Sequence, residues 1–314
     1  LQPTPQALPS NQNSLVYSRT YSLFYSPPPP HELVTKKNWL NSSAPSLKAA
    51  ASVWSSVDMD SNGKLNLPYD VDTDANGNVY VADTQNRRVK VYTSKGSFLR
   101  QWGEWGSEEG NFDHPISLAV DKSSSYVYVA DDWSNKINKF DLEGNFLARW
   151  DISCDWLQAL AVSPGSAHDV YVIYHAGDSS GIRILNRDNG NIKSDITNIG
   201  GSSFNNISDI AIDSQENIYI NEESAGKIYK FNKNFDSPLL MGDSSMTCWN
   251  IAYTFCGKIS LAVDDANLYV SDANHRVQKF DLYFNYIATF GTPGSGNGQM
   301  NFPMGITVSN GNIY

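Results

Sequence analysis

The chain has 314 residues, 40% of them hydrophobic and 12% aromatic, enough to bury a large core. Its net charge is −10 and it holds no cluster of Lys or Arg, so it presents no cationic face to nucleic-acid phosphates. No apolar run reaches the roughly 18 residues that a membrane-spanning helix needs.

Residues 1–47 read as an extended tail or stalk rich in Ser, Pro and Asn, with Ser26-Pro27-Pro28-Pro29-Pro30 as a stiff polyproline stretch. Within it, Leu15 to Tyr25 is a strand-like run with no place in the repeats that follow. It is expected either to pair with another subunit or domain, because an open sheet edge binds an added strand, or to pack along its own propeller. Asn41-Ser-Ser43 is the better of two glycosylation sequons, since Asn206 leads into a strand. The chain begins at Leu1, which reads as a processed or partial chain.

From residue 48 a repeat takes over. Copies start near 68, 115, 157, 207, 258 and 303, marked by Val-Tyr-Val-Ala-Asp and its variants, as at Val79–Asp83 and Val127–Asp131. A period of roughly 40–50 residues built from short strands predicts a β-propeller with one four-stranded antiparallel sheet per copy. Blade 1 should place strands near 69–74, 78–82, 87–93 and 97–102, with Asn76-Gly77 as a hairpin turn. Trp102, Trp150 and Phe290 close outer strands at matching places and read as packing between blades. The sixth copy stops at Tyr314 in its second strand, and Lys48 to Trp54 reads as an outer strand closing that blade. The natural chain is expected to continue, or another segment to complete the blade.

The units resemble the NHL repeat. The likeness rests on Gly63-Lys-Leu-Asn-Leu-Pro68, Gly110-Asn-Phe-Asp-His-Pro115 and Gly298-Gln-Met-Asn-Phe-Pro303, with closing motifs Asn86-Arg-Arg-Val89 and Asn274-His-Arg-Val277. The resemblance implies an all-β, six-bladed β-propeller of NHL type over residues 48–314, following the Pro/Ser-rich N-terminal segment.

Site residues must be separated from repeat chemistry. Asp58–Gly63 and Asp72–Gly77 look like calcium loops, but the closing position holds Tyr69 in the first and, in the second, Asp83, which a strand pulls away, so turn chemistry is the reading for both. Asp83, Asp131 and Asp272 recur beside Arg87/Arg88, Lys136 and Arg276. A catalytic group is needed once and a structural one in every blade, so these read as loop caps and blade-to-blade ion pairs. His175 and His275 should lie in loops between second and third strands, and His114 in a loop between blades, all on one face of the ring. Peptidyl-hydroxyglycine amidating lyases resemble this architecture, with zinc held by one His from each of three alternate blades. That resemblance makes His175 and His275 the candidate zinc ligands, although the third slot, Asp83–Arg88, has no His. Trp105, Trp133, Trp156 and Trp249 fall in loops of the same face and suit peptide or sugar stacking.

Cys248 and Cys256 are close enough in sequence to close a loop, which leaves Cys154 unpaired; a disulfide favours an extracellular or cell-surface location. The resulting expectation is a secreted, non-enzymatic interaction or structural module, with self-association through its tail into a fibre or surface layer. Its ligand-binding candidates are Trp105, Trp133, His114, His175 and His275. No cofactor is expected, calcium and zinc being the two to test. The alternatives are a metal-dependent lyase or lactonase at the channel mouth, and a glycan-binding propeller.

Overall fold

The computed structural model describes residues 64–199, 202–236, 238–242, 253–255, 257–296 and 298–314. The tail, Asn41, the loop Asp58–Gly63, Trp249 and the Cys248/Cys256 pair lie outside the described residues. Five four-stranded antiparallel sheets follow one another, and a hairpin of Val308–Ser309 with Asn312–Ile313 takes the sixth position. The innermost strands are Asp70–Thr73, Pro115–Asp121, Trp156–Val162, Ile207–Ile212 and Ser260–Val263. Each begins within two residues of the start read from the repeat. In blade 1 the other strands are Val79–Asp83, Arg88–Tyr92 and Phe98–Trp102, in meander order.

Second strands are buried along their whole length in blade 1, where Val79 to Asp83 are all inaccessible, because neighbouring sheets cover both faces. The core is accordingly a series of clusters, each straddling one interface. Tyr80, Val89 and Val91 of blade 1 meet Leu118, Val127 and Phe140 of blade 2, and Ile173 and Ile182 of blade 3 meet Ile210, Ile218 and Phe231 of blade 4. The last interface joins Val79, Val81 and Tyr92 of blade 1 to Tyr314.

Turns between first and second strands share one device. Asp74 accepts the backbone N–H groups of Asn76 and Asn78 at 2.9 and 2.8 Å, and Asp213 does the same for Gln215 and Asn217. Tyr80, Tyr219 and Tyr269 add hydroxyl bonds to Asp74, Asp213 and Asp264. These are Asx turns, in which a short side chain replaces a backbone acceptor. The Asp72–Gly77 segment is therefore occupied by its own turn, as its repeat position implies.

Polar side chains stitch neighbouring blades together, on the inner strands at most interfaces and from the second and third strands of blade 3 at one. Asp70 accepts Leu118 N at 2.9 Å and Ser117 Oγ at 2.6 Å, and Asp72 accepts Val120 N at 2.9 Å. Ser117 Oγ accepts Leu160 N at 3.0 Å, carrying the pattern to blade 3. Between blades 3 and 4, Ser180 Oγ accepts Ile207 N at 3.2 Å and His175 Nε2 meets Ile207 O at 3.1 Å. Asp209 accepts Leu261 N at 2.7 Å, and Ser260 Oγ donates to Met304 O. Thr307 Oγ1 donates to Asp72 at 3.0 Å, joining blade 6 to blade 1 and closing the ring.

Outer strands dock through one large-to-small fit. Trp102 of blade 1 packs under Gly144 of blade 2, and Trp150 of blade 2 under Gly190 of blade 3. A Cβ on Gly144 would lie 2.5 Å from the Trp102 indole, and one on Gly190 2.3 Å from Trp150. Both glycines have left-handed backbones, at φ 91° and 72°. Gly190→Ala combines that strain with overpacking and should lower stability by roughly 2–4 kcal/mol. Urea unfolding checks this; an unchanged midpoint would refute the fit.

Candidate functional site

The segments leading into each inner strand, and the loops between second and third strands, open on one face. Buried carboxylates bind the two together. Asp83 accepts Asn66 N at 2.7 Å from the lead-in, and Asn86 Nδ2 and Arg88 Nε from its own loop. Asp131 accepts Asp113 N and His114 N, and Asp272 binds Arg276 Nε at 2.9 Å. The recurring acids are loop caps, as expected. The expected blade-to-blade pairing is corrected, because both partners of Asp83 and Asp272 lie within the same blade.

The structure distributes the three candidate histidines over separate environments. His114 lies in the lead-in to blade 2, with Nδ1 2.6 Å from Asp132 and its ring stacked on Trp133 at 4.6 Å. His275 sits in its loop at φ 61°, where Nδ1 accepts Phe302 N at 3.1 Å and the ring meets Phe302 edge-on. His175 is not in a loop. The second and third strands of blade 3 run on to Ala176 and from Ser179, leaving a tight turn at Gly177 and placing His175 inside the strand. It is 4% exposed. Ile207 O can only accept, so Nε2 carries the proton and donates to it, and Nδ1 of the neutral ring accepts from Ser180 Oγ at 3.0 Å. Burial holds its pKa below the usual value. Among the described residues no three His, Cys, Asp or Glu side chains gather as metal ligands. The zinc arrangement implied by the lyase resemblance therefore does not fit these positions, and no chemistry is routed through it.

The tryptophans make the surface. Trp105 is 73% exposed, Trp133 65% and Trp156 36%. Trp156 opens the inner strand of blade 3 rather than lying in a loop, and stacks on His175 at 4.7 Å. Two indoles are thus backed by imidazoles that are themselves hydrogen-bonded. Phe302, 50% exposed, adds a further apolar group in the lead-in to blade 6.

At the centre of this face lies a group the motifs did not reveal. Lys258 occupies the position where the other blades have Pro68, Pro115, Leu157, Ile207 and Pro303. Its ammonium lies 4.4 Å from the ring centre of Tyr69, and Asp209, Asp70, Glu223 and Asp132 all act on its charge. Burial lowers its pKa against their pull. Asp70 and Asp209 stand where other blades carry Ser117, Ala159, Ser260 and Gly305. The signal that could have found all three is departure from the repeat. Below them the channel is a cavity of about 470 Å³ lined by the inner strands of all six blades, including Asp72, Ala119, Ala161, Ala211, Ala262 and Thr307.

Cys154 is half-buried and free, and burial raises its thiol to about 11. Asn206 is exposed, with Nδ2 bonded to Glu223 at 3.3 Å.

Comparison with known proteins agrees with this geometry. A family model described as a 6-bladed beta-propeller matches residues 72–178. A chain of the nidogen/laminin complex superposes with a TM-score of 0.62 at 13% identity, covering 79% of this chain and 87% of that one. Streptogramin B lyase gives 0.54 at 15% identity, over 78% and 74%. No curated protein sequence matches the chain. The chain has a β-propeller fold, with five four-stranded blades and a hairpin in the sixth position among the described residues, and at these identities the solved structures share its fold alone.

Burial, then the charge of Asp209, pushes the Asp70 carboxyl up to about 7; burial takes Asp209 to about 6. Both protonate more readily in the ring than in the unfolded chain, where the value is near 3.8. Their contribution to stability is therefore fullest below pH 3.8 and is lost as pH rises through 6 and 7. Asp70→Asn keeps an acceptor for Leu118 N and removes the charge. It should flatten the stability profile between these limits and, allowing for channel water, stabilise the protein at pH 8 by about 1–3 kcal/mol. Denaturation profiles that run parallel for the two proteins would contradict this.

Proposed function

We propose that this propeller is a non-enzymatic interaction module, secreted or held at the cell surface by its Pro/Ser-rich segment, that binds a protein partner through the face bearing Trp105, Trp133 and Trp156. The observation that carries the reading is the pairing of exposed indoles with immobilised imidazoles. Such aromatics contribute contact area with little loss of rotamer freedom, which is the character of binding hot spots. His175 supports it too, since both its nitrogens are consumed, Nε2 by Ile207 of blade 4 and Nδ1 by Ser180 of its own blade. The sequon at Asn41 and the spacing of Cys248 and Cys256 support the extracellular placement. Residues 15–25 are assigned to strand exchange with a second copy, which would build a fibre or layer.

One observation favours an enzyme as the second reading. Asp70, Asp209 and Lys258 are perturbed titratable groups at a channel mouth, the usual setting of acid–base chemistry. Their hydrogen bonds across blades give both carboxylates a structural role, and on that ground the interaction module is preferred.

Zinc titration calorimetry on the purified chain should give no stoichiometric binding. One equivalent of zinc, abolished by His175→Ala or His275→Ala, would reinstate the metalloenzyme. Removing residues 1–47 should lower the mass of the assembled protein in light scattering. A truncated protein that assembles as the full chain does would refute strand exchange while leaving the binding face untouched.

A further inference from the structure

The binding face has a charge character that points to the chemistry of its partner. Lys258 is already answered by four carboxylates, so it does not make the channel mouth positive. Around Trp133 and Trp156 the polar groups are acidic. Asp155 and Asp178 are exposed, and Glu222 and Glu223 are half-buried. Asp155 Oδ2 accepts Gly177 N at 2.7 Å, Glu222 accepts Asn205 N and the Tyr229 hydroxyl, and Glu223 accepts Asn206 Nδ2. Among the described residues no Lys or Arg forms an ion pair with Asp155 or Asp178, whereas the charge of Glu223 is met by Lys258. Of the cations on nearby strands, Arg183 pairs with Asp195 at 2.7 Å and Arg149 binds the carbonyls of Ser107 and Glu108, while Lys227 stands opposite Glu222 in the sheet, so the unanswered charge is that of Asp155 and Asp178.

Indoles and uncompensated carboxylates favour the same visitor. The face of an indole attracts a cation, and does so more strongly when water is displaced. Trp133 has one side on His114 and is 65% exposed on the rest. A carboxylate-bearing ligand would be repelled by the acids. A neutral sugar could stack on the indoles but would leave the excess charge unanswered.

We propose that this face docks a basic, extended segment of a protein partner, its Lys or Arg side chains lying over Trp133 and Trp156 and their charges met by Asp155 and Asp178. This rests on the interaction-module reading and names the chemistry of the partner. The whole protein has the matching bias, with a net charge of −10, which would steer such a segment toward it.

The test uses the full chain and three probes: an alternating Lys-Gly octapeptide, the same peptide with Gln for Lys, and a glucan hexasaccharide. Binding is read by calorimetry in about 150 mM salt, where long-range attraction is screened. The Lys peptide should bind, and Trp133→Ala should weaken it at least about fivefold. Asp155→Asn with Asp178→Asn should weaken it similarly, whereas Asp236→Asn with Asp265→Asn, an equal charge change on exposed turns of the other face, should not. Equal losses in both double variants would mean general acidity and overturn the site. No Trp133-dependent binding of the Lys peptide would also overturn it. Trp133-dependent binding of the Gln peptide or the hexasaccharide instead would refute the basic partner and keep the face as a binding surface.

Discussion

Every inner strand of a propeller has an edge that faces the channel, and half its N–H groups point there without a partner in their own sheet. Leaving them bare would cost stability, because an unpaired backbone group removed from bulk water is not compensated. Here the preceding blade supplies the acceptor. Asp70 and Asp72 serve Leu118 and Val120, Ser117 serves Leu160, Ser180 serves Ile207, and Asp209 serves Leu261. The same bonds that satisfy the edges hold the blades in register. The apolar clusters between blades then pack against a ring whose angular spacing is already set.

This constraint explains why the channel is acidic. An aspartate reaches across to a neighbour's N–H in two of the six positions where Ser, Ala or Gly stand elsewhere, and its charge is a consequence of that reach. The charge of Asp209 raises the cost of ionising Asp70, and Lys258 enters from the lead-in to offset them. The acidity of the channel mouth thus has a structural origin, while the acids at Asp155 and Asp178 lie outside the stitching. That difference separates the part of this face that holds the fold from the part available to a partner.

Much of the fold was legible because each blade repeats its own punctuation. The strands of blade 1 fall within one residue of their expected bounds, since Asn76-Gly77 and Gly96 mark turns and Val-Tyr-Val-Ala-Asp marks a strand covered on both faces. Trp102 and Trp150 were legible as interface residues from their matching positions, although the facing glycines were not. The site was read less well. Tyr174-His-Ala-Gly177 lacks the loop motif of other blades and looked open, whereas the tight turn at Gly177 extends the strands and buries His175. The stitching bonds join residues 27 to 52 positions apart through side chains with no local pattern, so nothing near Asp70 or Asp209 in the sequence marks them. Lys258 was visible only as an exception to Pro68 and Pro115, a signal that needs the blades aligned to one another.

The claim that side chains of one blade satisfy the backbone of the next is tested most directly by amide hydrogen exchange at Leu261. In the native protein this N–H should be slow to exchange despite facing the channel. In Asp209→Ala it should exchange far faster, while the Leu268 amide, on the neighbouring strand of the same blade, stays protected. Unchanged protection at Leu261 in that variant would contradict the account.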